Sequence, residues 1–152
     1  MERYNKYMEL ALEEARLAAL EDEVPVGCVI VYRDQVIASA HNKRDKSHNP
    51  LGHAEILAIK KAGEFIGNWQ LVDCELYVTI EPCIMCGGAI IQSRIGKVIY
   101  GASDNKGGAF GSSIDILTAK NINHRPTIIS GVLEAECSQI IKQYFKNKRI
   151  AR

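Results

Sequence analysis

The chain has 152 residues, of which 47% are hydrophobic and 24% charged, and its formal net charge is +1. This length and composition suit one globular domain with a buried core, and exclude a disordered or disulfide-stapled chain and a surface coated in one sign of charge. No apolar run approaches the roughly 20 residues that a membrane-spanning helix needs.

Residues 2–20 carry Tyr4, Tyr7, Met8, Ala11, Ala15 and Ala18 at helical spacing, which predicts an amphipathic helix. Glu2, Glu9, Glu13 and Glu14 within it exclude a secretory signal. Glu23-Val24-Pro25 ends the helix, since proline disfavours helix in the residue before it. Residues 26–32 and 35–40 are β-rich runs on either side of Arg33-Asp34, a hairpin pattern. Residues 42–52 are polar and contain Pro50 and Gly52, so they read as loop. From His53 the residues Ile56, Leu57, Ala58, Ile59, Ala62, Phe65 and Ile66 predict a second amphipathic helix. It ends near Gly67, where glycine can take the left-handed cap conformation.

Residues 75–80 predict a strand, and Pro82 then sets the backbone for a helix over about residues 83–93. That helix is apolar or small nearly all round and is expected to be fully buried. A strand over residues 97–100 leads into a loop rich in glycine (Gly101, Gly107, Gly108, Gly111). A short helix over 113–119 and a strand over 127–130 follow. The chain closes with a helix whose stripe is Leu133, Cys137, Ile140, Ile141 and Tyr144. This alternation predicts one mixed sheet with helices on both faces, an antiparallel hairpin at one edge and parallel βα units beyond it.

Five cysteines, an odd number, do not form a disulfide framework. Cys28, Cys74 and Cys137 lie in apolar stretches and read as reduced core residues, which points to a reducing cytosol. Charge is unevenly placed. Residues 1–23 hold seven acids against three bases, whereas Lys142, Lys146, Lys148, Arg149 and Arg152 have no acid among them. A basic helix end of this kind either complements the helix dipole in solvent or offers contacts to phosphate.

His53, Cys83 and Cys86 are the nitrogen and sulfur donors that a tetrahedral zinc prefers. Cys83 and Cys86 lie three residues apart, so a helical first turn puts both on one face, and its N-terminus favours their thiolates. Glu55 shares the apolar face of its helix with Ala58, Ile59, Ala62 and Ile66. A buried carboxylate needs a reason, and proton transfer beside a metal-activated water is one. A closed, purely structural zinc would need a fourth protein ligand, for which Cys28, Cys74, Cys137, His41, His48 and His124 are the candidates. Three ligands and an open position is the catalytic pattern.

The pair His53-Ala54-Glu55 and Pro82-Cys83-Ile84-Met85-Cys86 matches H-x-E…P-C-x-x-C, the signature of zinc nucleobase deaminases. Over residues 4–149 the sequence resembles the bacterial tRNA-specific adenosine deaminases. The likeness runs through Glu23-Val24-Pro25-Val26-Gly27, Asn42, Leu76-Tyr77-Val78-Thr79 and Ser93-Arg94-Ile95. It continues through Gly101-Ala102-Ser103-Asp104, Asn123-His124-Arg125 and Phe145-Lys146-Asn147. The resemblance implies a single deaminase domain over residues 1–152, with the three-layer α/β/α cytidine-deaminase-like fold and one mixed five-stranded sheet. It implies one zinc ion per subunit on His53, Cys83 and Cys86, with Glu55 shuttling protons. The reaction implied is hydrolysis of adenosine to inosine at the wobble position of a tRNA anticodon loop. Asn42 would hold the target nucleoside, the Ala54 backbone N–H would face the reacting centre, and Asp104 would meet the neighbouring nucleotide. The terminal helix, about residues 133–149, would bring Phe145, Lys148 and Arg149 to the anticodon stem-loop, with Tyr144 as a weaker stacking candidate that also fits the core. A cytoplasmic homodimer is implied as well. Two positions depart from the pattern: Asn49-Pro50-Leu51-Gly52 stands where most members read Asp-Pro-Thr-Ala, and Ser103 occupies a position of variable charge. The alternatives are a deaminase of a free base or nucleoside, such as guanine, cytosine or cytidine, using the same zinc chemistry, and a non-enzymatic RNA-binding module stabilised by zinc.

Overall fold

The computed structural model describes residues 1–151; Arg152, part of the basic tail, lies outside the described residues. In chain order the elements are the helix Glu2–Leu20 (α1), strands Gly27–Tyr32 (β1) and Gln35–His41 (β2), and the helix Ala54–Ile66 (α2). Strand Cys74–Ile80 (β3), helix Ile84–Gln92 (α3), strands Lys97–Ala102 (β4) and Thr127–Ile129 (β5), and helix Glu134–Ala151 (α4) complete it. The strands form one sheet in the order β2-β1-β3-β4-β5.

Arg33 and Asp34 both take positive φ, the conformation that a two-residue hairpin turn demands, and Tyr32 pairs with Gln35 across it. The antiparallel part of the sheet extends further than the hairpin. β1 also pairs antiparallel with β3, so it is the one reversed strand, lying between β2 and β3. β3, β4 and β5 run parallel, as the alternation of strand and helix requires. The C-terminal ends of β2, β3 and β4 therefore share one edge, where ligands of open α/β sheets bind.

Alternate residues divide the core into two layers, as strand pleating requires. Cys28, Ile30, Leu76, Val78, Val98 and Tyr100 pack towards α2 and α3, with Ala54, Ala58, Ala62 and Ile90. Val29, Val31, Tyr77 and Ile99 pack on the opposite side against Tyr7, Met8, Ala11 and Leu12 of α1 and Cys137 of α4. This is the expected three-layer arrangement. Cys28, Cys74 and Cys137 are buried free thiols. Among the described residues no helix is long and apolar enough to cross a membrane.

Three expectations need correction. α3 is not fully buried: Cys86, Gly87, Ile90 and Ile91 face inward, but Ile84 is 62% exposed and Gly88 meets open space. A helix on the outer layer of a sheet buries one stripe, and here the outer stripe is apolar too. Residues 113–119 do not form an α-helix. A single 3₁₀ turn, Ile116–Thr118, is capped by Asp115, whose side chain accepts from the Leu117 N–H at 3.0 Å. The terminal helix also continues to Ala151, past the end of its apolar stripe. α2 ends as expected, with Gly67 at φ 75°.

Candidate active site

His53 is the N-cap of α2 and Cys83 the N-cap of α3, while Cys86 lies in the first turn of α3. Two helix starts on one face of the sheet thus aim their unpaired N–H groups at a common point. There His53 Nδ1 lies 3.6 Å from Cys83 Sγ and 3.5 Å from Cys86 Sγ. The three ligand atoms lie within 4.8 Å of one another. Bond lengths of about 2.05 Å to nitrogen and about 2.3 Å to sulfur at a tetrahedral zinc separate N from S by about 3.6 Å, so the donor set fits that ion. Hydrogen bonds from Cys86 and His53 outweigh burial and pull the Cys83 thiol down to about 3. The same contact with Cys83, together with burial, pushes Cys86 up. A divalent cation between the sulfurs would favour the thiolate form of both.

Among the described residues no further His, Cys, Asp or Glu joins this trio. Three of the six candidates for a fourth ligand are held elsewhere. His41 lies between Glu14 and Glu21 at 2.9 and 2.8 Å, and His124 contacts the Ile95 carbonyl at 2.6 Å. Cys137 packs on the other face of the sheet.

Glu55 follows on the inward face of α2, 3% exposed. Burial pushes its carboxyl up to about 7, against the pull of backbone and Cys86 hydrogen bonds and the His53 charge. It lines a cavity of about 710 Å³ together with His53, Cys83, Asn42, Asp104, Phe145 and Arg149. Asn42 Oδ1 accepts the Ala54 backbone N–H at 2.8 Å, so that N–H is spent on Asn42 and does not face the reacting centre as expected. That bond fixes the Asn42 side chain and leaves its amide nitrogen as the group available to the cavity.

The two faces of α4 have separate surroundings. Phe145, 42% exposed, lines the cavity together with Ile141, Lys142 and Arg149. Tyr144 instead donates to the Asp22 backbone carbonyl at 3.2 Å, and Lys148 forms an ion pair with the Asp22 carboxylate at 2.8 Å. Lys148 therefore lies in a neighbouring polar cleft with Arg44, Asn49 and Pro50, outside the main cavity. Arg44, Lys106, Lys142 and Arg149 surround the cavity, and among the described residues none of these cations is in an ion pair.

The loop over residues 43–52 closes through the Lys43 N–H, which donates to the Gly52 carbonyl at 2.8 Å. A Cβ at Gly52 would sit 2.6 Å from the Lys43 carbonyl oxygen, so this backbone requires glycine there. Leu51 beside it is 54% exposed on the rim.

Reading the sequence missed two buried acids, Glu23 and Glu81, 4% and 2% exposed. Glu23 accepts the backbone N–H groups of Arg44, Asp45 and Lys46 at 3.0–3.2 Å and so fixes the 43–52 loop. The only signal was a carboxylate beside a helix-ending proline, in a position with no periodicity to mark it. Burial raises its titration, but the three N–H donors outweigh it and hold the carboxyl below its usual range. Its stabilisation is therefore present above the unfolded value and lost as pH falls through the folded value. Glu23→Gln sets an amide donor against backbone donors. The variant is expected to lose about 2 kcal/mol, or about 4–8 °C in Tm by calorimetry at pH 7, with a smaller difference from wild type in acid.

A family model of MafB19-like deaminases matches residues 2–149. The tRNA-specific adenosine deaminase of Bacillus subtilis (strain 168) is 43% identical over 143 residues, 94% of this chain and 89% of that protein. The tRNA-specific adenosine deaminase of Streptococcus pyogenes serotype M18 (strain MGAS8232) is 44% identical over 149 residues, 98% of this chain and 94% of that protein. A solved structure from work on A-to-I editing by tRNA:A34 deaminases at the wobble position of transfer RNA matches with a TM-score of 0.86 at 43% identity. The match covers 89% of this chain and 98% of that one.

Proposed function

The chain belongs to the tRNA-specific adenosine deaminases, and we propose that its cavity carries out their reaction on the wobble base of an anticodon loop through His53, Cys83, Cys86 and Glu55. The reaction consumes water and adenosine and yields inosine and ammonia. Zinc on His53, Cys83 and Cys86 would supply a Lewis acid that makes water nucleophilic near neutral pH. Glu55 takes a proton from the attacking water, delivers it to ring N1, and later assists departure of the amino group from C6. A carboxyl raised to about 7 by burial accepts and returns a proton at neutral pH with little driving force wasted in either direction. Asn42, fixed through Ala54, donates its amide hydrogens to the target nucleoside. A loop nucleotide is splayed out at little cost, whereas a base in a duplex cannot reach a site this deep.

The observation that carries RNA rather than a free base as substrate is the set of unpaired cations Arg44, Lys106, Lys142 and Arg149 around the cavity. They suit phosphates on either side of one inserted base, and Phe145 offers a stacking face. The test compares anticodon stem-loop RNA with free guanine, cytosine and cytidine under the same conditions. Inosine at the wobble base alone is the expected product, and turnover of a free base without any change in the RNA would overturn the reading.

A homodimer in the cytoplasm completes the proposal. Phe65 of α2, Trp69 of the connection after it and Ile84 of α3 are 65%, 62% and 62% exposed, apolar side chains of the kind that a second copy would cover. Ile84→Glu is expected to convert a species of twice 16.8 kDa into one of 16.8 kDa in sedimentation equilibrium. A wild-type monomer would remove this part of the proposal.

A further inference from the structure

We infer that Glu81 is a positioning residue for substrate recognition: its carboxylate folds the glycine-rich loop into the wall that frames the target nucleotide. This inference rests on the deaminase reading above. Glu81 follows β3 and precedes Pro82 and the ligand Cys83, and it lines the cavity while only 2% exposed. Its two oxygens receive four donors from a loop more than twenty residues away. Oε1 accepts the Asp104 N–H at 3.1 Å and the Ser112 hydroxyl; Oε2 accepts the N–H groups of Phe110 at 2.9 Å and Ser112 at 3.2 Å. The backbone reinforces the same junction, with the Glu81 N–H donating to the Ala102 carbonyl at 2.8 Å and the Ala109 N–H to the Pro82 carbonyl at 2.9 Å.

The loop is shaped around this carboxylate. A Cβ on Gly108 would overlap the Glu81 carboxyl group and come within 2.6 Å of the Asp104 carbonyl, so glycine is what lets the loop close over the acid. Asp104 and Lys106 reach the cavity from the segment so held. A buried acid whose acceptor capacity is filled by backbone and hydroxyl donors is not available to exchange protons with a substrate. What it sets is where Asp104 and Lys106 stand.

Glu81→Gln places an amide donor against donors and leaves part of the loop unpaired. With the zinc-loaded 152-residue chain and anticodon stem-loop RNA, KM is expected to rise at least tenfold while the fall in kcat is several times smaller. Bound zinc stays at the wild-type ratio. Glu81→Asp, a carboxylate one methylene shorter, recovers part of the KM. Ser112→Ala removes only the hydroxyl bond, leaves the fold intact, and is expected to raise KM about two- to fivefold. A wild-type KM in both Glu81→Gln and Ser112→Ala overturns the positioning role alone, as does a loss confined to kcat. A wild-type protein that leaves the stem-loop unmodified overturns the deaminase reading and this inference with it.

Discussion

Glu55→Ala lowers wobble deamination by about 100- to 10,000-fold, the range that positioned acid–base groups contribute, while zinc and RNA remain bound. The expectation follows from the place of the side chain. A carboxylate on the inward face of α2 gains nothing from solvent, and its neighbours Ala54, Ala58 and Ala62 are too small to need it for packing. Its cost in burial is offset only if both charge states are used. Glu55→Gln is the sharper variant, because it keeps shape and one acceptor but cannot carry a proton from water to the base. Single-turnover rates with stem-loop RNA should fall as far for Gln as for Ala. Full activity in the Gln variant would remove Glu55 from the proton path and leave a buried acid without a function.

The second large effect is removal of the metal. Chelation, or Cys86→Ala, is expected to abolish deamination to the detection limit, and zinc added back restores the chelated protein but not the variant. Thermal stability falls with zinc removal, because anything bound only by the folded state stabilises it by mass action. Zinc affinity weakens as pH falls, since His53, Cys83 and Cys86 bind the ion only in their deprotonated forms. Metal content by atomic absorption, read beside activity, separates this outcome from simple unfolding. An enzyme that keeps its rate after zinc is stripped would refute the assignment of His53, Cys83 and Cys86 as a catalytic centre.

Most of the site was legible because it is written in short, local spacings. His53 and Glu55 start an amphipathic helix and Cys83 and Cys86 share one turn, but joining the two pairs across 30 residues rested on the H-x-E…P-C-x-x-C resemblance, and the fold brings His53, Cys83 and Cys86 within 4.8 Å. Phe145, one position off the apolar stripe of α4, was the better candidate for an RNA contact, and it lines the cavity whereas Tyr144 is anchored to Asp22. Elements set by long-range partners were less visible. Glu23 and Glu81 bind backbone groups of distant loops, and no periodicity marks such an acid. Lys148 carries the same charge as Arg149, yet only the fold shows that it faces Asp22. The uniformly apolar sequence of α3 does not distinguish a helix buried on all sides from one with an unpartnered outer stripe. The place of β1 between β2 and β3 depends on pairing across the whole sheet, which a hairpin signal does not contain.

The loop over residues 43–52 is closed at its base by one backbone hydrogen bond and suspended from the rest of the protein by the Glu23 carboxylate. Such a segment behaves as a cassette. It can be exchanged for another sequence without repacking either hydrophobic layer, provided that the graft is cut at Lys43 and Gly52 and presents three N–H groups to the acid beneath it. Retargeting this scaffold to a different nucleic acid context therefore begins with an interchangeable part at the rim, while the ligands on the helix starts stay untouched.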